Sequence, residues 1–576
     1  MRRARWEIAK PKPEIESTLR AALGVRAATA RVLAARGFED AGEAERFFRP
    51  TLDGLNDPYR LAGMSDAVVR LRAAIRGGEK ILIYGDYDVD GTTAVTILRK
   101  AIELAGGAAE FHVPHRLKDG YGMHTEAIER AAADGVRLMV SVDTGIRAGD
   151  VVRGAGERGI DVIVTDHHLP DEALPPAVAV LNPNRRDCAY PNKSLCGAGV
   201  AFQLARALLG TMGWTAARLG AMTESFLKMA AMATVADVVP LTGENRVIVK
   251  HGLAGLGAVK NVGLRALLDS AGFAPGKIPT AMEVAFRIAP RINAAGRMAD
   301  AAEAIELFAT ADTGRAREIA AKLDGLNRER QKAEAEILKA ILEEGGAEEG
   351  MDAALVFSRE GWHRGVVGIV ASRVAERFGR PVFVLGEDDG VAQGSGRSAA
   401  GFHLLEALEA MRDLFGRFGG HRQAAGVSLP AARVPEFRER LRIHAAARLT
   451  EEDFRPVVKI DAVVDFGELD EALVREMEEL APFGMGNRQP VLAALGAEVT
   501  AAPRVVKEKH LRVTLGKDGK RVTAIAWNFA ERVAELQPGT RVDAAFSLEL
   551  DESGREYGRE GWQAVLKDVR GSGVDK

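Results

Sequence analysis

Cysteine is nearly absent from this chain: Cys188 and Cys196 are its only two among 576 residues. Two cysteines exclude a disulfide framework and a thiolate-rich zinc site, and they fit a reducing cytoplasm. Net charge is equally sparse, −3 from 78 basic and 81 acidic side chains. That excludes a uniformly basic nucleic-acid binder but leaves room for a local basic channel. No run of about 18 apolar residues occurs, so no membrane-crossing helix is expected. The opening Met1-Arg2-Arg3-Ala4-Arg5-Trp6-Glu7 also lacks the apolar core of a secretion signal. No coiled-coil heptad calls for a dimer, so the expectation is a cytoplasmic monomer.

What the chain does have is length and apolar content. Hydrophobic residues make up 47% of 576, too much chain for one core, so three or four domains are expected. Residues 1–64 read as a polar, helical extension. From about 65 to 300, short apolar runs alternate with helical patterns, which predicts a parallel sheet covered on both faces. Strands are expected at 81–84, 109–113, 137–142, 161–165 and 178–181, with a helix from Thr92 to Leu104. A single long connecting helix is predicted over 301–345, with Leu326, Ile337 and Ile341 on one face. A second α/β domain is expected over 346–450, beginning after Gly345-Gly346. From 451 to 576, alternating apolar runs at 457–464, 492–499, 511–515, 522–527 and 542–548 predict an OB-fold-like β-barrel. Its Lys507, Lys509, Arg512 and Arg521 near Trp527 suit single-strand binding.

The chemistry is concentrated at strand ends. The run Ile81–Tyr84 leads to Asp86, Asp88 and Asp90; Leu138–Val142 leads to Asp143; Asp161–Thr165 leads to Asp166-His167-His168; Asp237 follows a run of small residues. Ligands of parallel sheets bind beyond the carboxyl ends of the strands. Asp88 and Asp90 are two apart, and in extended backbone both would face one cavity, with Asp86 continuing the face. This density of carboxylate implies divalent cations. Mixed carboxylate and imidazole donors suit Mn²⁺ or Mg²⁺, and two ions can clamp a phosphate and activate a water.

Asp-Tyr-Asp-Val-Asp-Gly (86–91), Val-Asp-Thr-Gly (142–145), Asp-His-His (166–168) and Val-Ala-Asp (235–237) resemble, in order, the four motifs of the DHH phosphoesterase superfamily. Further segments are similar to its single-strand exonuclease branch. They are Pro114-His115-Arg116 with Gly120-Tyr121-Gly122, Pro-Arg-Ile-Asn-Ala-Ala-Gly-Arg (290–297), Gly-Ser-Gly-Arg-Ser (394–398) and Gly-Gly-His-Arg-Gln-Ala-Ala-Gly (419–426). The resemblance implies a DHH catalytic domain, a DHH-associated second domain and a terminal OB-fold. It makes Asp88, Asp90, Asp143, His167 and Asp237 metal ligands, with Asp143 bridging, and Asp86 a further ligand or a support. His168 would touch the scissile phosphate or protonate the leaving oxygen, and Asp166 would orient a histidine. Arg116, Tyr121, Arg291, Asn293, Arg297, Ser395, Arg397, Gly420 and His421 would bind substrate, the two glycine-rich stretches acting as phosphate-binding loops. Pyrophosphatase relatives place a histidine where this chain has Tyr84, which argues against that activity. The implied reaction is 5′-to-3′ hydrolysis of single-stranded DNA to 5′-mononucleotides in repair and recombination. A single-stranded-DNA-binding protein and a helicase are the implied partners. Two rival readings are a phosphodiesterase of very short oligonucleotides or cyclic dinucleotides, and a non-catalytic DNA-binding scaffold.

Overall fold

In the computed structural model, which describes residues 4–116, 118–344, 352–551 and 561–573, the sheet that carries the acidic motifs has five parallel strands. Their order is Ala109–His112, Ile81–Tyr84, Leu138–Val142, Asp161–Thr165, Ala179–Leu181. Every residue of Ile81–Tyr84 and Leu138–Val142 is buried, as strands covered by helices on both faces must be. One face packs on the helices Val89–Leu104 and Gly197–Gly210, the other on Thr125–Ala133 and Gly149–Glu157.

Two expectations change here. The first helix does not wait for Thr92: it starts at Val89, with Asp88 as its N-cap and Asp90 in its first turn. The aspartates therefore do not share one face of an extended strand. The long connector is not one helix either. Ala302–Ala309 ends at an extended Thr310, and Thr313–Glu344 restarts after Asp312, whose carboxylate accepts from Arg315 N–H. A side chain that caps a helix start competes with continuing the previous helix. The expected Gly345-Gly346 turn lies outside the described residues.

The second domain is a five-stranded sheet ordered Arg417–Gly420, Ala424–Pro430, Val391–Arg397, Val382–Asp388, Leu355–Glu360. The last pair is parallel and the others antiparallel. Helix Val367–Phe378 and the connector residues Ile337 and Ile341 cover one face, while Phe437 and Leu441 cover the other. The two stretches expected as glycine-rich loops are strands of this sheet. Gly426 of one pairs with Ser395 on one side and Gly419 on the other. The glycines serve packing: a Cβ on Gly394 would fall 2.0 Å from Val384 O, and one on Gly396 would fall 2.4 Å from the Phe383 ring.

At the C-terminal end, Leu492–Val499, Arg541–Leu550, Trp562–Gly571, Lys520–Ala526 and His510–Lys517 pair in sequence. The last closes back on the first through Val499 opposite Leu515, making a five-strand barrel. The strand Trp562–Gly571 was not anticipated in the sequence pattern. Segments within residues 4–50 join this barrel. Arg5–Ile8 pairs in parallel with Val457–Ile460, and Leu19, Leu33, Phe47 and Phe48 enter the same apolar core as Leu492 and Phe546. Trp6 Nε1–H donates to Asp568 at 2.7 Å.

Arg246 ties the sheet domain to the barrel domain. It is 1% exposed and donates to the carbonyls of Phe47, Leu480, Glu479 and Ala481, with its guanidinium 4.1 Å from the Phe47 ring centroid. Burial lowers its pKa to about 9. Arg246→Ala would leave those buried carbonyls without donors and open a cavity. We expect a loss of roughly 3–5 kcal/mol, read as a lowered midpoint in urea unfolding.

Candidate metal centre

The acidic residues converge because each strand hands its end to a helix terminus or tight turn. Asp88 accepts from Gly91 N–H at 3.1 Å and so turns the chain into its helix. Asp90 sits in that first turn and plugs the N-terminus of another helix, accepting from Gly197 N–H at 2.6 Å and Ala198 N–H at 2.7 Å. Asp143 leaves its strand at φ +60°, a left-handed conformation that costs energy outside glycine. Gly197 makes room for it: a Cβ there would lie 2.6 Å from both Cβ and Oδ1 of Asp143. Gly91 does the same beside Asp86, where a Cβ would fall 2.4 Å from the Asp86 carbonyl oxygen.

Three donor sets form, each within 4.8 Å: Asp86, Asp88 and Asp143; Asp143, His167 and His168; Asp90, His167 and Asp237. Asp143 and His167 each belong to two of them, and His167 Nε2 lies 3.2 Å from Asp143 Oδ1. His167 also lies 3.8 Å from both Asp90 and Asp237 carboxylates. Asp237 caps the C-terminus of helix Ala216–Ala236, and the next residue, the exposed Val238, is forced to φ +57°.

The electrostatics show a deficit of positive charge. Burial, and then Asp88, push Asp86 up to about 8. Burial, and then Asp90 and Asp88, push Asp237 up to about 8. Asp88 and Asp143 rise in the same direction, for burial first and neighbouring carboxylates second. Asp86 Oδ1 and Asp143 Oδ1 are buried without a hydrogen-bond donor. Buried carboxylate oxygens are almost always satisfied, so these two fit a cation. Burial lowers the His167 pKa, which favours the neutral imidazole a metal needs.

Asp166 behaves differently. Its Oδ1 accepts from His167 N–H, His168 N–H and the His168 ring Nδ1 at 2.7, 3.1 and 2.7 Å, and its Oδ2 accepts from Ile146 N–H at 2.9 Å. Burial alone would raise Asp166, but these donors and the His168 charge hold it below the usual range. Burial would lower His168, yet the Asp166 bond raises it. Tyr121, its ring half-exposed, brings its hydroxyl 3.2 Å from His168 Nδ1. Tyr84 donates to Gly122 O at 3.0 Å, fixing the turn that carries Tyr121.

A second cluster faces the acids from the domain boundary. Arg116 lies over the Tyr87 ring at 4.9 Å, and Arg297 donates to Gly365 O of the second domain at 2.9 Å. Arg297 is pulled down to about 10 by burial, then by Arg116 and Arg330; Arg397 is pulled down by burial and then Arg116. Among the described residues none of Arg116, Arg297 and Arg397 has an ion-pair partner. Ser395 and Arg397 both lie beside Gly368, at the start of helix Val367–Phe378. Asn293 reaches the site, but its Oδ1 accepts from Val89 N–H at 3.1 Å and so supports the Asp88 helix. Arg291 does not reach it. It pairs with Asp324 of the connector at 2.8 Å and turns toward Ser270. Gly420 and the exposed His421 lie on the edge hairpin of the second sheet, where His421 N–H donates to the carbonyl of Ala424, the register partner of Arg397. The helix N-terminus at Gly197-Ala198 escaped sequence reading; its only signal is the small-residue run Cys196-Gly197-Ala198-Gly199 opening an apolar helix.

Comparison with known proteins matches this architecture part by part. Residues 80–234 match the DHH family N-terminal domain, 351–445 the DHHA1 domain and 460–568 the RecJ OB domain. The chain is 38% identical over 572 residues to the single-stranded-DNA-specific exonuclease RecJ of Bacillus subtilis, covering 98% of this chain and 70% of that one. The crystal structure of RecJ in complex with Mn²⁺ from Thermus thermophilus superposes with a TM-score of 0.83 at 32% identity, covering 99% of this chain and 80% of that one. The Mg²⁺ complex from the same organism gives 0.78 at 31%, covering 99% and 78%. With sheet, connector, second domain and barrel all matched in one order, the chain belongs to the RecJ family of single-stranded-DNA-specific exonucleases, within the DHH phosphoesterases.

Proposed function

We propose that this enzyme removes 5′-mononucleotides from the 5′ end of single-stranded DNA, during repair and recombination. The observation that carries the site assignment is the convergence of three carboxylate and imidazole donor sets that share Asp143 and His167, beside arginines at the domain boundary without ion-pair partners among the described residues. A phosphodiester with divalent ions balances both. Asp86, Asp88 and Asp143 would hold one ion and Asp90, His167 and Asp237 the other, with Asp143 and His167 between; Mn²⁺ and Mg²⁺, each bound by the Thermus thermophilus protein, both suit these donors. Ions held there supply neutralisation of the carboxylates, polarisation of the phosphate and a more acidic water.

The protein's own residues do the rest. Arg116, Arg297 and Arg397 grip phosphate oxygens, Arg297 and Arg397 from opposite sides of the domain boundary, and Ser395 adds a hydroxyl. As water attacks phosphorus and gives up a proton to solvent, the P–O3′ bond breaks and the leaving oxygen takes the proton of His168, which solvent then restores. Asp166 acts through His168, holding its ring and favouring the charged form. Tyr121 forms the wall beside it. Arg291 belongs to the frame, not to the substrate path. Single-stranded-DNA-binding protein and a helicase remain the partners that the resemblance supports. The two free, buried cysteines support cytoplasmic placement.

Single-stranded DNA labelled at either end, incubated with Mn²⁺ or Mg²⁺ and with EDTA, tests this. Early mononucleotide release from the 5′ label, absent in EDTA, is expected; early release from the 3′ label overturns the polarity. Turnover of dinucleotides with none of long strands would move the assignment to a short-oligonucleotide phosphodiesterase. Arg397→Ala is expected to lower kcat/KM by roughly 10–100-fold through loss of one charge-assisted phosphate contact. An unchanged kcat/KM would remove Arg397 from the substrate path.

A further inference from the structure

A cavity of about 1030 Å³ lies away from the acidic cluster, among the helices Val89–Leu104, Ala216–Ala236, Gly243–Gly255, Val262–Ser270 and Ala302–Ala309. Its floor is apolar and includes the rings of Phe226 and Phe308 and the thioethers of Met222 and Met229. Its rim is cationic: Arg99, Lys100, Lys228 and Lys260 line it, against Glu103 and Glu224. Lys100 pairs with Glu103 at 2.8 Å. Among the described residues Arg99, Lys228 and Lys260 make no ion pair; the Lys228 ammonium has only the backbone oxygen of Glu224, at 3.3 Å. Burial lowers the Lys228 pKa; Glu224 opposes this and the nearby Lys260 adds to it. Lys228 and Lys260 thus line one hole of ligand size, with Glu224 the nearby carboxylate.

We propose that this cavity is an allosteric site for a nucleotide, its base on the aromatic floor and its phosphate between Lys228 and Lys260. Flat rings and thioethers suit a base, and lysines suit phosphate as point charges. The one side-chain amide in the wall is committed. Asn261 accepts from Leu264 N–H at 2.8 Å and donates to Phe308 O at 2.8 Å, which fixes its orientation in the wall. The choice of a nucleotide, as the class of product released, rests on the function proposed above; the site itself rests on the cavity.

The route to the metal centre is short. Helix Val89–Leu104 presents Thr96, Ile97 and Lys100 to the cavity and Asp90 to the acids; helix Ala216–Ala236 presents Met222, Phe226 and Met229 and ends at Asp237. At about 1.5 Å per residue, the cavity wall and the acids are roughly 9–15 Å apart along the first helix and roughly 12–22 Å apart along the second. An occupant that changes the spacing of these two helices changes the spacing of Asp90 and Asp237, which share one donor set with His167.

The test is calorimetric titration of the full chain in EDTA with dAMP, deoxyadenosine, inorganic phosphate and laurate. Binding of dAMP at least tenfold tighter than of any of the others is expected. It should weaken at least tenfold in Lys228→Gln/Lys260→Gln and stay unchanged in Arg397→Ala. If the double variant fails to melt cooperatively, Lys260→Gln alone, at an exposed position, serves instead. No dAMP binding, equal binding of laurate or bare phosphate, or loss of binding in Arg397→Ala overturns the proposal. In the Mn²⁺ assay, dAMP should alter strand hydrolysis at least twofold more in the parent than in the lysine variant, over the product inhibition common to both. Equal response of both overturns the allosteric role. A chain without nuclease activity would refute the function above and leave the EDTA titration to decide the site.

Discussion

Asp143→Asn should reduce hydrolysis of single-stranded DNA by at least about 10³-fold while leaving the metal-free protein at least as stable as the parent. The two halves have separate causes. Asp143 is shared by two donor sets, so its charge serves both candidate ion positions. Loss of one principal electrostatic group at a reaction centre costs on the order of 10²–10³ in rate, and a shared group costs more. Stability moves the other way because the carboxylate is 3% exposed, surrounded by acids and lacks a donor at Oδ1. The amide keeps the size and removes the repulsion. Asparagine also tolerates the left-handed φ of +60° that this position demands, whereas alanine adds backbone strain and confuses the reading. Single-turnover assays and thermal melts of the same sample check both halves. Retained turnover sinks the ligand assignment, and a melt several degrees lower sinks the claim that the site is held together against its own charge.

Thermal stability in EDTA should fall as pH rises from about 5 to 9, and Mn²⁺ should restore more of it at pH 8.5 than at pH 5.5. Asp86 and Asp237 rise to about 8 in the folded chain, from an ordinary value near 3.8. Between those values the folded protein holds protons that the unfolded chain has released. By linkage, stability then decreases with pH across that window, and the contribution present below about pH 4 is gone above about pH 8. The two groups are coupled through Asp88 and Asp90, so the loss is a few kcal/mol and not twice a single-site value. A divalent ion must displace those protons, so its stabilisation is larger where they are already gone. Differential scanning at several pH values, with and without Mn²⁺, decides this. A metal-induced shift in Tm that is the same at both pH values would falsify the assignment of the raised acids to the metal centre.

Much of this was readable from residue pattern, for identifiable reasons. Ile81–Tyr84 and Leu138–Val142 announce themselves because strands buried on both faces tolerate nothing polar, and the acids that follow stand out against them. The residues at 86–90 were legible and their geometry was not. A helix N-cap at Asp88 and a strand residue look alike in sequence, and Asp90 is placed by Gly197, over a hundred positions away. The strands Val391–Arg397 and Arg417–Gly420 read as loops because glycine signals turns more often than the tight sheet packing it serves here. Arg291 and Arg297 are chemically equivalent in sequence. Only the neighbour differs, a connector aspartate for one and the second domain's backbone for the other.

The pairing of Arg5–Ile8 with Val457–Ile460 bears on how the polypeptide is made. A ribosome adding roughly 5–20 residues per second releases the first segment tens of seconds before its partner strand exists. Throughout that interval Leu19, Leu33, Phe47 and Phe48 have no core to enter, while the sheet domain between can already fold. The nascent chain therefore carries an apolar leading segment past its own emerging domains, a natural client for holdase chaperones. Only when the barrel emerges does this early segment find its core.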